Sequence, residues 1–332
     1  MKQEDLDYVL RISLPKCNLK CSYCRKDEAN IPNDELLSNK ELLDIIRASY
    51  TNGIRRIRWT GGEPTVNKGF LDIVKAAKDV GIVYQMLSTN GTTLDMQAEN
   101  LAEAGINRVN ISLDTLNRAK FYEVTKFDML DDVLTGIKQA IGIFEKIKIN
   151  TVLTKENADD CLQLLDFIYE IAHGENQNKI AIRFIELIPG GFEGDEQYVA
   201  SNFISGEQLV ENITKKYGKL KLTTFEGDNP MCTYRVIKQP GVIFGIIPHF
   251  SVNFQCGGKR CKKIRLNPTG TISNCSIHKK FGHNIKNTSY EEKLKILKYL
   301  IEEKANRSAQ EFKELKHFQS DYSFWRFGKK SQ

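Results

Sequence analysis

A chain of 332 residues with 41% hydrophobic and 27% charged residues can bury a large core, as one barrel-sized domain with an extension or as two ordinary domains. Its 48 Lys and Arg against 42 Asp and Glu leave a net charge of +6 spread along the chain, which does not mark a nucleic-acid binder but leaves room for basic clusters that hold an anionic small molecule. No apolar run approaches the roughly 18 residues of a membrane span and the opening MKQEDLDYVL lacks a signal-peptide pattern, so the expectation is a soluble cytoplasmic protein, with no membrane association, whose eight cysteines act as ligands or reactive thiols.

From residue 8 to about 188, β-rich runs alternate with amphipathic helical stretches. The strand candidates are YVLRISL, IRRIRWT, IVYQMLS, NRVNISL, IKINTVL and IAIRFIEL, and each but the last precedes a helix pattern. Two of those helices, NKGFLDIVKAAKDVG and LDMQAENLAEAG, carry apolar residues at i, i+3 and i+4 and close on a glycine. Such repetition means parallel strands joined by crossovers. Polar or unusual residues stand at the C-terminal end of every strand: Cys17 to Cys24, Gly61 to Pro64, Ser88 to Gly91, Ser112 and Asp114, Asn150, and Glu186. A doubly wound sheet concentrates such residues at a switch point, whereas a barrel gathers them on one rim. The expected fold is therefore α/β, an incomplete TIM-like barrel of six βα units over residues 1–190, open on one side. A smaller C-terminal α+β extension, 191–332, covers the opening. Within it the spacing predicts a helix over 205–217, hairpin-like strands around 233–275 and a lysine-rich helix over 290–304.

Cys17, Cys21 and Cys24 form C-x3-C-x2-C in the loop after the first strand. Thiolates bind zinc or iron–sulfur clusters, but a structural zinc site closes with four ligands and no histidine lies near in sequence. Three thiolates on a four-iron cluster leave one iron able to bind a small molecule. This segment, with Tyr23 before its last cysteine and TGGEP at 60–64, resembles the radical S-adenosylmethionine superfamily. A second triad, Cys256, Cys261 and Cys275, could take zinc with His278, or a second cluster. Cys161 and Cys232 have no partner at ligand spacing and read as buried thiols.

Two triads bracketing a six-unit barrel resemble the GTP 3′,8-cyclase group, which opens molybdenum cofactor biosynthesis. Matching segments include LRISLPKCNLKCSYC, RWTGGEPTVNKGFLDIV, STNGTTL, INRVNISLDTL, KINTVLTKEN, RFIELIPGG, FISGEQL and the run from Cys261 to Cys275. The resemblance implies S-adenosylmethionine and two [4Fe–4S] clusters as cofactors. It implies Cys17, Cys21, Cys24 and Arg265 as the catalytic set, with Tyr23, Gly62, Ser112 and Ile188 against S-adenosylmethionine. It puts Arg11, Arg58, Ser88, Lys148, Lys263 and Arg265 on the nucleotide substrate, GTP, and Cys256, Cys261 and Cys275 on the second cluster. It further suggests a homodimer, an electron donor such as flavodoxin or ferredoxin, and a downstream enzyme that processes the cyclised product.

Independent of the resemblance, Arg11, Arg58 and Lys148 sit among apolar strand residues, where a cation is costly without an anionic partner. A triphosphate is one such partner; Glu63, Asp114 or Glu186 is the bland alternative. The chain departs from the group's pattern in the C-x4-C spacing of Cys256 and Cys261, in Lys263 where arginine is usual, and in a tail, SFWRFGKKSQ, that keeps one glycine of a closing pair. A paralogue acting on another nucleotide, or a zinc or iron–sulfur protein without radical chemistry, are the competing expectations.

Overall fold

The computed structural model describes residues 8–24, 31–172, 176, 178–188, 195–223, 232–239, 241–247, 262–274 and 282–306. All six expected strands are present: β1 (Val9–Leu14), β2 (Arg56–Gly61), β3 (Tyr84–Thr89), β4 (Ile106–Ser112), β5 (Lys146–Leu153) and β6 (Ile180–Glu186). They pair in sequence order, each parallel to the next, so their C-terminal ends form one rim. Residue Asn150 is the exception to the expected placement. It lies mid-strand in β5, opposite Ser112 and Arg183, because β5 runs three residues past it to Leu153.

The sheet does not close β1 onto β6. Instead β10 (Lys263–Leu266) pairs parallel with the outer edge of β1, and β9 (Ile243–Ile247) parallel with that of β6. Antiparallel strands then prolong both ends: β11 (Thr271–Ser273) and β12 (His283–Asn284) beyond β10, β8 (Cys232–Val236) and β7 (Leu220–Thr223) beyond β9. The result is one twelve-stranded, partly wound sheet. The expected hairpin-like strands thus form, and each group protects one edge of the parallel core.

Period-two alternation decides what each strand side chain meets. Leu10, Ile12, Ile57, Trp59, Leu87, Val109, Ile147 and Ile182 point outward under the helices and are at most 1% exposed. Each contributes roughly 1.5–3 kcal/mol by burial. The indole of Trp59 packs edge-on against Phe70 and donates to Gln85 Oε1 at 2.9 Å, so the one polar atom of this large side chain is satisfied.

The covering helices are α1 (Asn39–Thr51), α2 (Phe70–Val80), α3 (Leu94–Ala104), α4 (Arg118–Thr125), α5 (Leu130–Ile143) and α6 (Asp160–Ile171). α1 starts on a capping box between Ser38 and Glu41. α2 and α3 end where Gly81 and Gly105 adopt φ of 109° and 118°, the left-handed stop expected from their glycines. After β6 come α7 (Asp195–Asn202) and α8 (Gly206–Tyr217), and α9 (Tyr290–Asn306) returns to pack on α1. There Asn52 Nδ2 donates to the Leu294 carbonyl at 3.2 Å, and the Tyr8 hydroxyl to that of Ile301 at 3.3 Å.

Candidate active site

The loop after β1 carries Cys17, Cys21 and Cys24 and is anchored from three sides. Lys20 and Ser22 donate backbone N–H groups to Thr125 and Val124, each at 3.0 Å. The Tyr23 hydroxyl donates to the Asp114 carboxylate, whose other oxygen accepts Val152 N–H at 2.8 Å. The TGGEP turn fixes the loop's start, with Gly62 N–H to Leu14 O at 2.7 Å and Glu63 N–H to Lys16 O at 2.6 Å.

Those glycines are explained by this approach of backbone to backbone. A Cβ on Gly62 would lie 2.3 Å from Lys16 O, and one on Gly61, at φ 112°, 2.2 Å from Leu14 N. Gly62→Ala is therefore expected to cost about 1–3 kcal/mol in a denaturant titration and to displace the cysteine loop, lowering iron uptake on reconstitution.

Burial pushes the Cys17 and Cys21 thiols up from their ordinary value, and Asp114, Cys24 and Cys17 add to the shift at Cys21. Bare, these sulfurs stay protonated; a soft cation must displace the protons, so metal uptake weakens as pH falls. Among the described residues no three His, Cys, Asp or Glu side chains converge at single-ion distance. The fit to a cluster rests on donor chemistry: three free thiols on one loop, held against a glycine turn. They fit an iron–sulfur cluster held by three thiolates.

Behind this rim the inward strand faces are cationic. In register across the sheet stand Arg265, Arg11, Arg58, Met86 and Arg108, and one layer on, Ser88, Asn110 and Lys148. Lys148 is 0%, Arg108 3% and Arg183 5% exposed. Arg183 donates to Asn150 Oδ1 at 2.8 Å and to Asn110 Oδ1 at 3.1 Å; Arg58 and Arg108 both reach the Met86 sulfur, at 3.7 and 3.2 Å. Burial, with Arg108 and Arg183 as the leading like charges, pulls the Lys148 ammonium down to about 5. Burial and neighbouring guanidinium groups likewise lower Arg183 to about 9 and Arg58 to about 10. An anion inside the barrel would relieve all of them at once.

The three acidic residues considered as alternative partners also bind nearby backbone N–H and hydroxyl groups. Glu63, fully buried, accepts from Thr65 N and Oγ1, Thr89 Oγ1 and Asn90 N; burial raises its pKa. Asp114 holds Tyr23 and Val152, and burial raises it to about 6. Glu186 accepts Gly206 N–H at 2.8 Å, within the first turn of α8.

Of the expected site residues, Cys17, Cys21, Cys24, Tyr23, Gly62 and Ser112 come together on the rim, where Ser112 is exposed. Ile188 follows β6 at 40% exposure, so it is not core. Arg11, Arg58, Ser88, Lys148 and Arg265 line the interior, while Lys263, opposite Val9, is an exposed residue at the far end of the same face. Cys256, Cys261 and Cys275, His278 and the C-terminal tail lie outside the described residues. Cys161 is fully buried, as expected of a structural thiol; the side chain of Cys232 is outside the description. Arg108, Arg183 and Asn110 were not singled out from sequence. Counting by two from Ser112 and from Ile185 reaches them.

The family profile described as "Radical SAM superfamily" matches residues 12–168. A "GTP 3′,8-cyclase" of Clostridium perfringens (strain SM101 / Type A) is 35% identical over 323 residues, 93% of this chain and 94% of that one. A "Probable GTP 3′,8-cyclase" of Pyrococcus horikoshii is 34% identical, covering 81% of this chain and 84% of the other. "Molybdenum cofactor biosynthesis protein moc-5" of Caenorhabditis elegans is 34% identical, covering 80% of this chain and 43% of that protein. In fold, the chain resembles Streptococcus suis SuiB, with TM-score 0.59 at 20% identity over 91% of this chain and 68% of that one. It also resembles anSMEcpe, solved with bound AdoMet, with TM-score 0.56 at 16% identity over 94% and 87%.

Proposed function

The chain belongs to the GTP 3′,8-cyclase family of the radical S-adenosylmethionine superfamily, and from that premise we propose that it converts GTP to 3′,8-cyclo-7,8-dihydro-GTP, the first step of molybdenum cofactor biosynthesis. The observation that carries this reading is the juxtaposition of a three-thiol rim loop with a barrel interior lined by buried Arg58, Arg108, Lys148 and Arg183. When bound, S-adenosylmethionine and a [4Fe–4S] cluster supply a 5′-deoxyadenosyl radical.

The protein's own contribution is placement. Cys17, Cys21 and Cys24 hold the cluster, and Tyr23, Gly62, Ser112 and Ile188 border the S-adenosylmethionine. Arg11, Arg58, Ser88, Lys148, Lys263 and Arg265, joined by Arg108 and Arg183, orient the triphosphate by charge-assisted hydrogen bonds. Fixing the ribose and base so that their reacting carbons meet is the step for which rigid strand-borne cations are suited. Residues 1–190 thus form the radical-generating unit. Residues 191–332 contribute Lys263 and Arg265 and, through Cys256, Cys261 and Cys275, a second [4Fe–4S] cluster that anchors the guanine.

A low-potential electron donor such as flavodoxin or ferredoxin, a homodimeric state, a downstream product-processing enzyme and a cytoplasmic location complete the reading. No helix among the described residues is long and apolar enough to cross a membrane.

The test is anaerobic reconstitution followed by incubation with S-adenosylmethionine, reductant and nucleotide. 5′-Deoxyadenosine is expected only when GTP is present, together with the cyclised nucleotide. Turnover with a different nucleotide and none with GTP would reassign the substrate to that of a paralogue; one cluster plus zinc in the metal analysis would remove the guanine-anchoring role of the second triad.

A further inference from the structure

Arg265 enters the barrel on a short hairpin. Among the described residues two pairs form the ladder of β10 with β11, Arg265 opposite Ser273 and Leu266 opposite Ile272. The closed end of the hairpin is fixed locally: Asn267 Oδ1 accepts Thr271 N–H at 2.7 Å, and Asn267 N–H donates to Thr271 O at 3.0 Å. The open end is fixed from outside the sheet. Lys304, in the last turn of α9, donates from Nζ to the Lys263 carbonyl and to the Asn274 carbonyl, each at 2.5 Å. Its helix neighbour Glu303 accepts from the Asn274 side-chain amide. One ammonium thus ties the first residue of β10 to the residue that follows β11.

The two carbonyls stand on opposite arms of the hairpin, so the bridge sets the separation of the arms where their ladder stops. Arg265 is two residues from one anchor, and its partner Ser273 is next to the other. The flanking Ile264 and Leu266 are fully buried, and Arg265 stands opposite Arg11 in the pairing of β10 with β1. A slip of one residue would turn Ile264 or Leu266 onto the cationic face and Arg265 off it. Lys304 itself is 3% exposed, and a lysine so placed costs stability unless its donors are used, whereas an apolar side chain of like length would fill the space without that cost. What the apolar side chain cannot do is hold two carbonyls.

We propose that Lys304 is a positioning residue for the nucleotide site: by bridging the two arms it fixes the register of the β10–β11 hairpin and the aim of Arg265 into the barrel. The inference rests on the reading that Arg265 meets the substrate, and the experiment separates the two. Full-length reconstituted protein, without reductant, is titrated with GTP by calorimetry as wild type, Lys304→Met, Arg265→Ala and the double variant. Arg265→Ala is expected to weaken GTP binding about ten- to hundredfold, as the loss of one charge-assisted hydrogen bond, and Lys304→Met about tenfold. The double variant should bind no more weakly than Arg265→Ala alone, within about twofold, because residues that act through one another do not add. Hydrogen exchange supplies a readout without ligand: amides of 263–273 should lose protection in Lys304→Met while those of β2 to β5 keep it. Should Lys304→Met not fold, Lys304→Gln, which retains an N–H donor for one carbonyl, serves in its place with the same expectations at smaller size. Wild-type GTP affinity or wild-type hairpin protection in the Lys304 variant, or additive losses in the double variant, overturns the inference alone. Wild-type affinity in Arg265→Ala, or a wild type that does not bind GTP, removes the substrate reading and the inference with it.

Discussion

Cys24→Ala is expected to reduce S-adenosylmethionine cleavage to background while leaving the fold intact. Cys24 is exposed at the rim, and truncating an exposed side chain away from caps and buried networks usually changes stability by less than about 0.5 kcal/mol. Apo protein should therefore unfold at the wild-type denaturant midpoint. Its chemistry should not survive, because the loop presents three thiols and Cys161, fully buried under the sheet, is in no position to replace one. On the proposed ligand assignment the variant keeps two of the three thiolates that would hold the cluster, so both cluster retention and S-adenosylmethionine cleavage should fall. The measurement is 5′-deoxyadenosine formed per reconstituted protein, with iron content alongside. Cys161→Ala, a truncation of a fully buried thiol in the first turn of α6, should retain the four-iron signal. Wild-type cleavage in Cys24→Ala would refute the ligand assignment.

The contrast between Cys24 and Cys161 also shows what was legible before any coordinates. Local patterns were. Six alternating apolar runs gave β1 to β6 within a residue or two, and the closing glycines gave the ends of α2 and α3. The choice of a partial barrel over a doubly wound sheet came from polar residues at every strand end, and the uniformly parallel order from β1 to β6 agrees with it. Two things were hidden. Pairing of β9 with β6 and β10 with β1 joins segments far apart in sequence, and such register leaves no local period to read. Arg108 and Arg183 were hidden for a different reason. β6 is apolar on both faces around Arg183, which masks the alternation that puts this cation inside. Arg108 stands in a visible alternation with Val109, Asn110, Ile111 and Ser112, which marks the inner face only once a neighbouring strand fixes which face is inside. Asn150 was misplaced to a strand end although its role, holding Arg183, belongs to the strand's middle. The adjacent glycines of TGGEP were legible as a close approach, but the partner that comes within Cβ distance is the cysteine loop's own backbone.

Lys148→Met is expected to make the nucleotide-free protein more stable and to weaken its grip on GTP. The Lys148 side chain is buried beside Arg108, Arg183 and Arg58, and burial together with these charges brings its pKa to about 5 from an ordinary value of 10.5. Above 10.5 neither the folded nor the unfolded lysine binds a proton and the group costs nothing through ionisation. As pH falls from there, the unfolded chain takes up a proton that the folded chain refuses, so native stability declines with falling pH until the folded pKa near 5 is reached, and the loss then levels off. A methionine of similar length removes that penalty. At pH 7 the gain should be about 1–4 kcal/mol, by analogy with buried ions replaced by apolar residues, and the variant's stability should vary less between pH 6 and pH 9. Triphosphate reverses the electrostatics, because its negative charge raises the lysine pKa and lets the ammonium form a charge-assisted hydrogen bond of about 1.5–3 kcal/mol, so affinity should drop roughly ten- to hundredfold in the variant. With its pKa lowered to about 5 the lysine is neutral at pH 7 until an anion comes beside it, so GTP binding is expected to draw up to one proton from solvent. Calorimetric titration with GTP in buffers of differing ionisation enthalpy measures that uptake, which should be present in the wild type and lost in Lys148→Met. Equal proton uptake in both proteins would mean that the charge accepted on binding resides on another group, and the lysine would then be a spectator of the phosphate.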